Sequence, residues 1–327
     1  MRRTINLPTH PIDAVITWVD GDDPAHKAKR LAFLAPAPEP LHENGINPHR
    51  WACNDELIYC LGSLENNAPW IGTIYIVTDA QTPDLTALST SLRTKIKIID
   101  HREIFAGYEH VLPTFNSLAI ESVLWRIEGL SEHFVYFNDD VFLTAPLTPK
   151  DVFRDQYPVL RGKWVDLSTL GAASDDLTDP TLFHDFMQRN AACLVGFDPN
   201  HIFASAHVAF PMRRSVFAEL FVRYPDAFVA NLSHRFRDVN QFQPQGLHNA
   251  ACLHAGTCVI ETAADYLHLR TGAVEDYPLD EVRNYLRKAL APEVKFLCVN
   301  DLRQVEAAIP DARNWIEAAI APQRAAA

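Results

Sequence analysis

No run of apolar residues in this 327-residue chain approaches the ~20 needed to cross a bilayer, so no transmembrane segment is expected. Arg2 and Arg3 have no apolar stretch behind them, which argues against a secretory signal. The six cysteines include no C-x-x-C pair; reduced, mostly buried thiols are expected rather than a disulfide framework or a zinc site. There is no G-x-x-x-x-G-K-[ST] and no G-x-G-x-x-G, which disfavours a P-loop kinase and a dinucleotide oxidoreductase. There is no G-x-S-x-G elbow for serine hydrolysis. Internal repeats and low-complexity tracts are absent. Positive charge is scarce: 29 Lys and Arg against 41 Asp and Glu leave a formal net charge of −12, and nucleic-acid binding, which needs a basic face, is not expected.

Short apolar runs are present, and acids follow each of them. Ile12 to Val19 reads as a buried strand running into Asp20-Gly21-Asp22-Asp23-Pro24. Ile74 to Thr78 ends at Asp79, Ile96 to Ile99 at Asp100, and Phe134 to Phe137 at Asn138-Asp139-Asp140. Helices are expected between them. One is opened by Asn54 as N-cap, with Asp55 and Glu56 in its first turn and Leu57, Cys60, Leu61 and Leu64 at helical spacing. A second covers Asp84 to Arg93, and a third is capped by Asn116, with Leu118, Ile120, Leu124 and Ile127 inward. Leu34 to Trp51 is proline-rich and aperiodic, a lid or a disordered loop.

Alternating strands and helices with uniformly apolar strands predict a mostly parallel α/β sheet covered on both faces. Ligands of such sheets bind beyond the carboxyl ends of the strands, where these acids would converge. Two unit charges about 4 Å apart cost about 4 kcal/mol at an effective dielectric near 20, and a divalent cation is the usual compensation. Side chains alternate along a strand, so Asp140 faces the ion if the 134–137 strand persists and Asp139 if it breaks early. After residue 158 the pattern weakens, with acids at Asp175-Asp176 and Asp179. A helix is expected near 214–223, another over Asp280 to Leu290, and a strand over Val294 to Val299 that ends at Asn300-Asp301. Each marked site also has a plainer reading: a tight turn at 20–24, a satisfied core histidine at His207, and a solvated loop at His234-Arg235-Phe236-Arg237.

Taken in order, these segments resemble the Stealth family. Ile12 to Pro24 is similar to its first conserved region. Asn54 to Glu65, Ala68-Pro69-Trp70, Ile74 to Asp79, Leu112 to Ser117, Ala119 to Ser122 and Tyr136 to Val141 are similar to the second. His207, Pro211 and Arg235 to Arg237 resemble the third, and Phe296 to Asp301 the fourth. Three positions depart from the family pattern: Ile58 stands in place of Arg, Gly62 in place of Arg or Lys, and Cys53 in place of an acid.

The resemblance implies a sugar-1-phosphate transferase on a Rossmann-like sheet with helices on both faces, similar to the GT-A nucleotide-sugar transferase fold. It implies one catalytic domain over 1–318, with a nucleotide-sugar-binding half at 1–157, an acceptor and catalytic half at 158–318, and a disordered tail at 319–327. The implied reaction moves a hexose 1-phosphate, such as GlcNAc-1-phosphate, from a UDP-sugar to a hydroxyl of a glycan or polysaccharide acceptor and releases UMP, as in capsule or exopolysaccharide synthesis. His207 would be the base, with Asp23 as a rival and Asp20 nearby, and Arg235 and Arg237 would clamp the phosphate. Trp18, Gly21, Asn54, Glu56, Asn116 and Asn138 would bind substrate. Asp139, Asp140 and Asp301 would hold Mg²⁺ or Mn²⁺. The compartment expected is the cytoplasm, with peripheral contact at the inner membrane. The alternatives are a metal-dependent glycosyltransferase that releases UDP and a glycan-binding pseudoenzyme.

Overall fold

The computed structural model describes residues 10–34, 41–171 and 179–322. Its centre is a five-stranded sheet. Strand β1 (Ile12–Thr17) lies between β2 (Ile74–Thr78) and β4 (His133–Asn138), and β3 (Ile96–Asp100) flanks β2. These four are parallel, as the alternation of strands and helices predicts.

Alternate residues of these strands point to opposite faces. Ala14, Ile16, Ile74, Ile76, Val135 and Phe137 pack on one side, beneath the helix Glu56–Asn67 and the C-terminal helices. Val15, Tyr75, Val77, Phe134 and Tyr136 pack on the other, beneath the helices Ser117–Glu121, Arg214–Arg223 and Pro225–Ser233. Both faces are covered, which is why the strands are apolar throughout. The one acid in β1, Asp13, is buried and accepts backbone N–H groups from Thr73 and Ser131, each at 2.9 Å, so it ties the entry of β1 to the loops before β2 and β4.

The second half of the chain adds to this sheet. Beyond β5 (Val141–Leu143), β6 (Phe153–Arg154), β7 (Tyr157–Leu160), β8 (Gly162–Asp166) and β9 (His201–Ser205), strand β10 (Phe210–Arg213) closes the β4 edge in antiparallel register. Further on, β11 (Val259–Ile260) pairs with β7, and β12 (Tyr266–Leu269) pairs with β13 (Phe296–Val299). Strand β13 then pairs antiparallel with β5, with Cys298 opposite Val141. The expected halves therefore interlock within shared sheets. Among the described residues no helix is long and apolar enough to cross a membrane.

Several boundaries differ from expectation. The helix expected over 84–93 is only Thr90–Arg93, because the Asp84 side chain takes the Thr86 N–H at 2.9 Å in a local turn. The helix after Asn116 stops at Glu121, where Ser122 Oγ bonds back to the Leu118 carbonyl at 2.8 Å, yet all four expected inward residues are buried. Within 34–51, residues 35–40 lie outside the described residues, while the remainder forms the short helix Glu43–Ile46 and the turn Pro48–Trp51 rather than an open loop. Asp175 and Asp176 also lie outside the described residues. The helix Ala312–Ile320 buries Ala319 and Ile320, so the disordered tail expected from 319 is corrected at its start; residues 323–327 are not described.

Asn116 joins the fold to the site. Its Oδ1 caps the helix by accepting the Leu118 N–H at 3.1 Å. Its Nδ2 faces the carbonyl oxygens of His234 (2.8 Å) and Phe236 (3.1 Å) and the Gln241 side-chain oxygen (2.8 Å). Asn116→Ala strands these buried acceptors and should lower the unfolding free energy by about 3 kcal/mol, read from urea denaturation. A loss below about 1 kcal/mol, the ordinary value of a single bond, would show that the segment is held by other contacts.

Candidate functional site

Strand β4 ends at Asn138, and Asp139-Asp140 form a turn into β5. The strand therefore breaks early, which by simple alternation would have turned Asp139 inward. The side chain held at the site's centre is instead Asp140, because pairing with β13 continues through it: the Val299 N–H donates to the Asp140 carbonyl at 3.1 Å. Asp140 Oδ2 accepts from Asn300 Nδ2 at 2.6 Å, and Asn300 Oδ1 lies 2.6 Å from His268 Nε2. The rings of His268 and His207 stack with centroids 5.0 Å apart. Burial drives His268 down to about 4, helped by the neighbouring His207, so this ring is neutral.

His207 Nε2 lies 3.9 Å from Asp140 Oδ1, too far for a hydrogen bond. Both atoms are buried and lack a hydrogen-bond partner. Cys298 Sγ completes a cluster in which the three ligand atoms lie within 4.8 Å of one another. A polar ligand atom or a cation between Asp140 and His207 would satisfy both orphans. Among the described residues this is the group of three that could hold an ion, and it differs from the expected trio of Asp139, Asp140 and Asp301. The Asp140 carboxylate suits Mg²⁺ or Mn²⁺, and Asp139 stands beside it; the Cys298 thiol is too soft a ligand for either.

The acids at this edge crowd one another. Burial, then the Asp140 and Glu56 carboxylates, pushes Asp139 well above the usual carboxylate range. Burial acts in the same sense on Asp140, but His207 and the Asn300 bond outweigh it and hold Asp140 low. Glu56 is buried in the first turn of its helix and raised to about 7, first by burial and then by Asp140 and Asp55. Burial also raises the Cys53 thiol to about 11, with further acids close by.

Arg50 and Arg237 lie within range of the Asp140 charge, whereas desolvation by neighbouring protein atoms pushes His184 well below the usual histidine range and leaves its ring neutral. Arg50 feels the charges of Asp140 and Arg237, and His184 those of Arg237, His207, Arg50 and His268. The Arg50 and His184 side chains are exposed. Arg237 is buried, with Nη2 2.5 Å from Ser117 Oγ and Nε without a hydrogen-bond partner. Arg50 was missed from sequence because it sits in the aperiodic proline-rich stretch. Its position is set by Gly21: a Cβ there would lie 2.3 Å from the Trp51 carbonyl oxygen, so only glycine lets the 50–51 backbone approach.

Other expected site residues have structural work. Arg235 turns away, stacking over Phe33 at 4.4 Å and donating to the carbonyls of Pro113 (2.8 Å) and Leu112 (3.2 Å). Asn116 is spent on the hub described above. Trp18 is part of the apolar core. The N-cap of the helix Glu56–Asn67 is Asp55, not Asn54; Asn54 Nδ2 instead reaches Glu306 at 2.6 Å and its N–H donates to Glu56 at 2.6 Å. Asp23 accepts the His26 N–H at 2.7 Å at the start of the helix Pro24–Leu34. Asp20 accepts the Asp22 N–H at 3.0 Å, while its backbone N–H donates to Gln81 at 2.8 Å. Asp301 takes φ 55 and caps the helix Leu302–Ala308. Asn138 is the last residue of β4, half-buried at the same edge. Asp79 and Asp100 leave the converging set: Asp79 pairs with Lys29 at 2.7 Å, and Asp100 caps the helix His101–Ile104. Of the departures from the family pattern, Ile58 packs on the apolar core and Gly62 faces open space.

The site is an acid-rich edge of a parallel α/β sheet with histidine and arginine nearby. Three family models match the chain: Stealth protein conserved region 1 over residues 10–35, conserved region 2 over 50–159 and conserved region 3 over 206–250, together more than half of it. The chain belongs to the Stealth family. It is 36% identical over 250 residues to an exopolysaccharide phosphotransferase of Streptomyces coelicolor, covering 76% of this chain and 41% of that protein. It is also 36% identical over 234 residues to the capsular polysaccharide phosphotransferase LcbA of Aeromonas hydrophila, covering 70% and 62%. The chain thus spans about two fifths to three fifths of these relatives' length. Among solved structures it is similar to the galactosyltransferase LgtC in complex with donor and acceptor sugar analogues, with 14% identity, a TM-score of 0.46, and coverage of 94% of this chain and 95% of that one. The fold assignment rests on the strand order given above.

Glu56 offers a test of the site's electrostatics. Its folded pKa of about 7 lies above the ordinary value of 4.5, so its stabilising protonated form is fully present below pH 4.5 and lost as pH rises through about 7. In EDTA-treated protein, Glu56→Gln should gain stability over wild type across that window, by up to about 3 kcal/mol at pH 8. A difference between the two that does not change with pH would contradict the assigned environment.

Proposed function

We propose that this chain transfers a hexose 1-phosphate from a UDP-sugar to a hydroxyl of a glycan acceptor, in the synthesis of capsular or extracellular polysaccharide. Two things support this reading: the phosphotransferase names of the relatives and the make-up of the edge. The observation that carries it is the pair of orphaned atoms, His207 Nε2 and Asp140 Oδ1, 3.9 Å apart, with Arg50 and Arg237 within range of the Asp140 charge.

His207 takes the proton from the acceptor hydroxyl, with Nε2 as the accepting atom. Its stacking on neutral His268 fixes the ring plane. The acceptor oxygen bonds to the phosphorus that carries the sugar. The bond from that phosphorus to the bridging oxygen breaks, and UMP leaves with the electron pair. Arg50 and Arg237 face the transferred group and offset its charge. A Mg²⁺ or Mn²⁺ ion, when bound at Asp140 with Asp139 alongside, supplies further positive charge against the diphosphate. Asn300 keeps Asp140 oriented by occupying its other oxygen. A glycosyltransferase with the same edge would instead break the sugar C1–O bond and release UDP.

The leaving nucleotide decides the matter. Purified chain given UDP-GlcNAc and a glycan acceptor should release UMP, with ³¹P NMR showing a phosphodiester in the product. His207→Ala should lower kcat by about 10²- to 10⁴-fold while the thermal midpoint holds. Release of UDP would replace this reading with glycosyl transfer, and no turnover in the wild-type chain would favour a glycan-binding pseudoenzyme.

A further inference from the structure

Strands β8 and β9 form an antiparallel pair that stands apart from the central sheet, with Trp164 opposite Phe203 and Asp166 opposite His201. Directly paired residues share a face. One face of the pair therefore carries Trp164, Phe203, His201 and Asp166. Trp164 is 44% exposed, and single exposed apolar residues are common and mean little. This indole differs in packing against three neighbouring rings. His201 stacks on it with centroids 5.1 Å apart and planes 12° from parallel. Phe203 meets it edge-on at 5.8 Å, and Phe197 braces it at 5.9 Å. Gly162 makes room for this support, because a Cβ there would lie 2.8 Å from the Phe203 ring. Exposed His201 and Asp166 flank the indole with polar groups. An aromatic plane edged by hydrogen-bonding groups is matched by a ligand with apolar C–H faces and polar edges, which is the chemistry of a pyranose ring.

The location gives the plane a purpose. Strand β9 runs from His201 to Ser205, and the chain reaches His207 two residues later. At about 3.3 Å per residue, the four steps from Phe203 to His207 span at most about 13 Å. A glycan resting on Trp164 is thus within an oligosaccharide's reach of the base.

We infer that the Trp164–His201 face is a remote subsite for the glycan acceptor, gripping sugars several units from the reacting hydroxyl. The inference rests on the proposed transfer for its purpose, but the subsite binds sugar whether or not transfer follows. It makes acceptor affinity depend on chain length.

The full chain labelled with 5-fluorotryptophan tests this, using chitohexaose and maltohexaose with their disaccharides as probes. The Trp164 resonance is identified by its loss in Trp164→Phe. At least one hexasaccharide should shift that resonance saturably and bind the wild type about tenfold more tightly than Trp164→Ala. Its disaccharide should bind more weakly, and Trp164→Phe should retain part of the affinity. A Trp164 resonance that neither hexasaccharide moves, equal affinities of wild type and Trp164→Ala, or self-association of the chain through this face would overturn the subsite. UMP release from UDP-GlcNAc by the wild type, measured on the same preparation, keeps the two ideas separate. Binding without UMP release sinks the transfer reading alone, and UMP release without binding sinks the subsite alone.

Discussion

The antiparallel pairing of β5 with β13 is the contact on which the site depends. It joins residues 141–143, directly after the Asp139-Asp140 turn, to residues 296–298, more than 150 positions later in the chain. Three things follow from that short ladder. Asp140 is drawn against β13 and aimed by its backbone bond to Val299, Asn300 is brought onto the Asp140 carboxylate, and His268 arrives on the adjacent strand opposite Cys298. On the other flank, β10 pairs with β4 and sets His207 abreast of the same turn. The edge is thus assembled from three separate stretches of sequence, each held by backbone hydrogen bonds rather than by flexible side chains.

Charge balance at the edge explains the remaining arrangement. Asp139, Asp140 and Glu56 are close enough to disturb one another, and among the described residues the basic group within ion-pair distance of them is His207, 3.9 Å from Asp140. Asp139 reports that crowding by being raised, while His207 and Asn300 hold Asp140 low. Buried carboxylates that cost free energy when alone become assets when a cation or the positive end of a ligand arrives. Arg50 and Arg237, both within range of the Asp140 charge, supply the opposite sign for an anionic ligand. The Asn116 hub holds Arg237 in that position, and Gly21 holds Arg50, so residues expected to touch substrate work by placing those that face it.

Much of this was readable beforehand. Strands β2 and β4 stand almost where the apolar runs put them, and their carboxyl ends carry the acids. The Asn116 cap is also where its neighbours predict it. Other features depend on partners remote in sequence and leave no local trace. Asn116 bonds residues 118 to 125 positions away, which a capping rule does not reveal. That Asp140, rather than Asp139, joins the cluster with His207 and Cys298 follows from pairing with β13 rather than from alternation along β4. Arg235 and Arg237 look alike on the page, but their side chains leave the segment in different directions, one onto Phe33 and the other toward the site. Arg50 was hidden in a stretch with no period, where only the close approach of Gly21 gives it a place.

The claim beneath the whole account is that Asp140, aimed by Asn300, is the charge that recruits a dication to this edge. Titration of the purified chain with Mn²⁺, followed by loss of the free-ion electron paramagnetic resonance signal, tests it most directly. The wild-type chain should bind one ion, Asn300→Ala should bind it more weakly, and Asp140→Asn should leave the free-ion signal intact at concentrations that saturate the wild type. An Asp140→Asn chain that takes up Mn²⁺ as the wild type does would contradict the account.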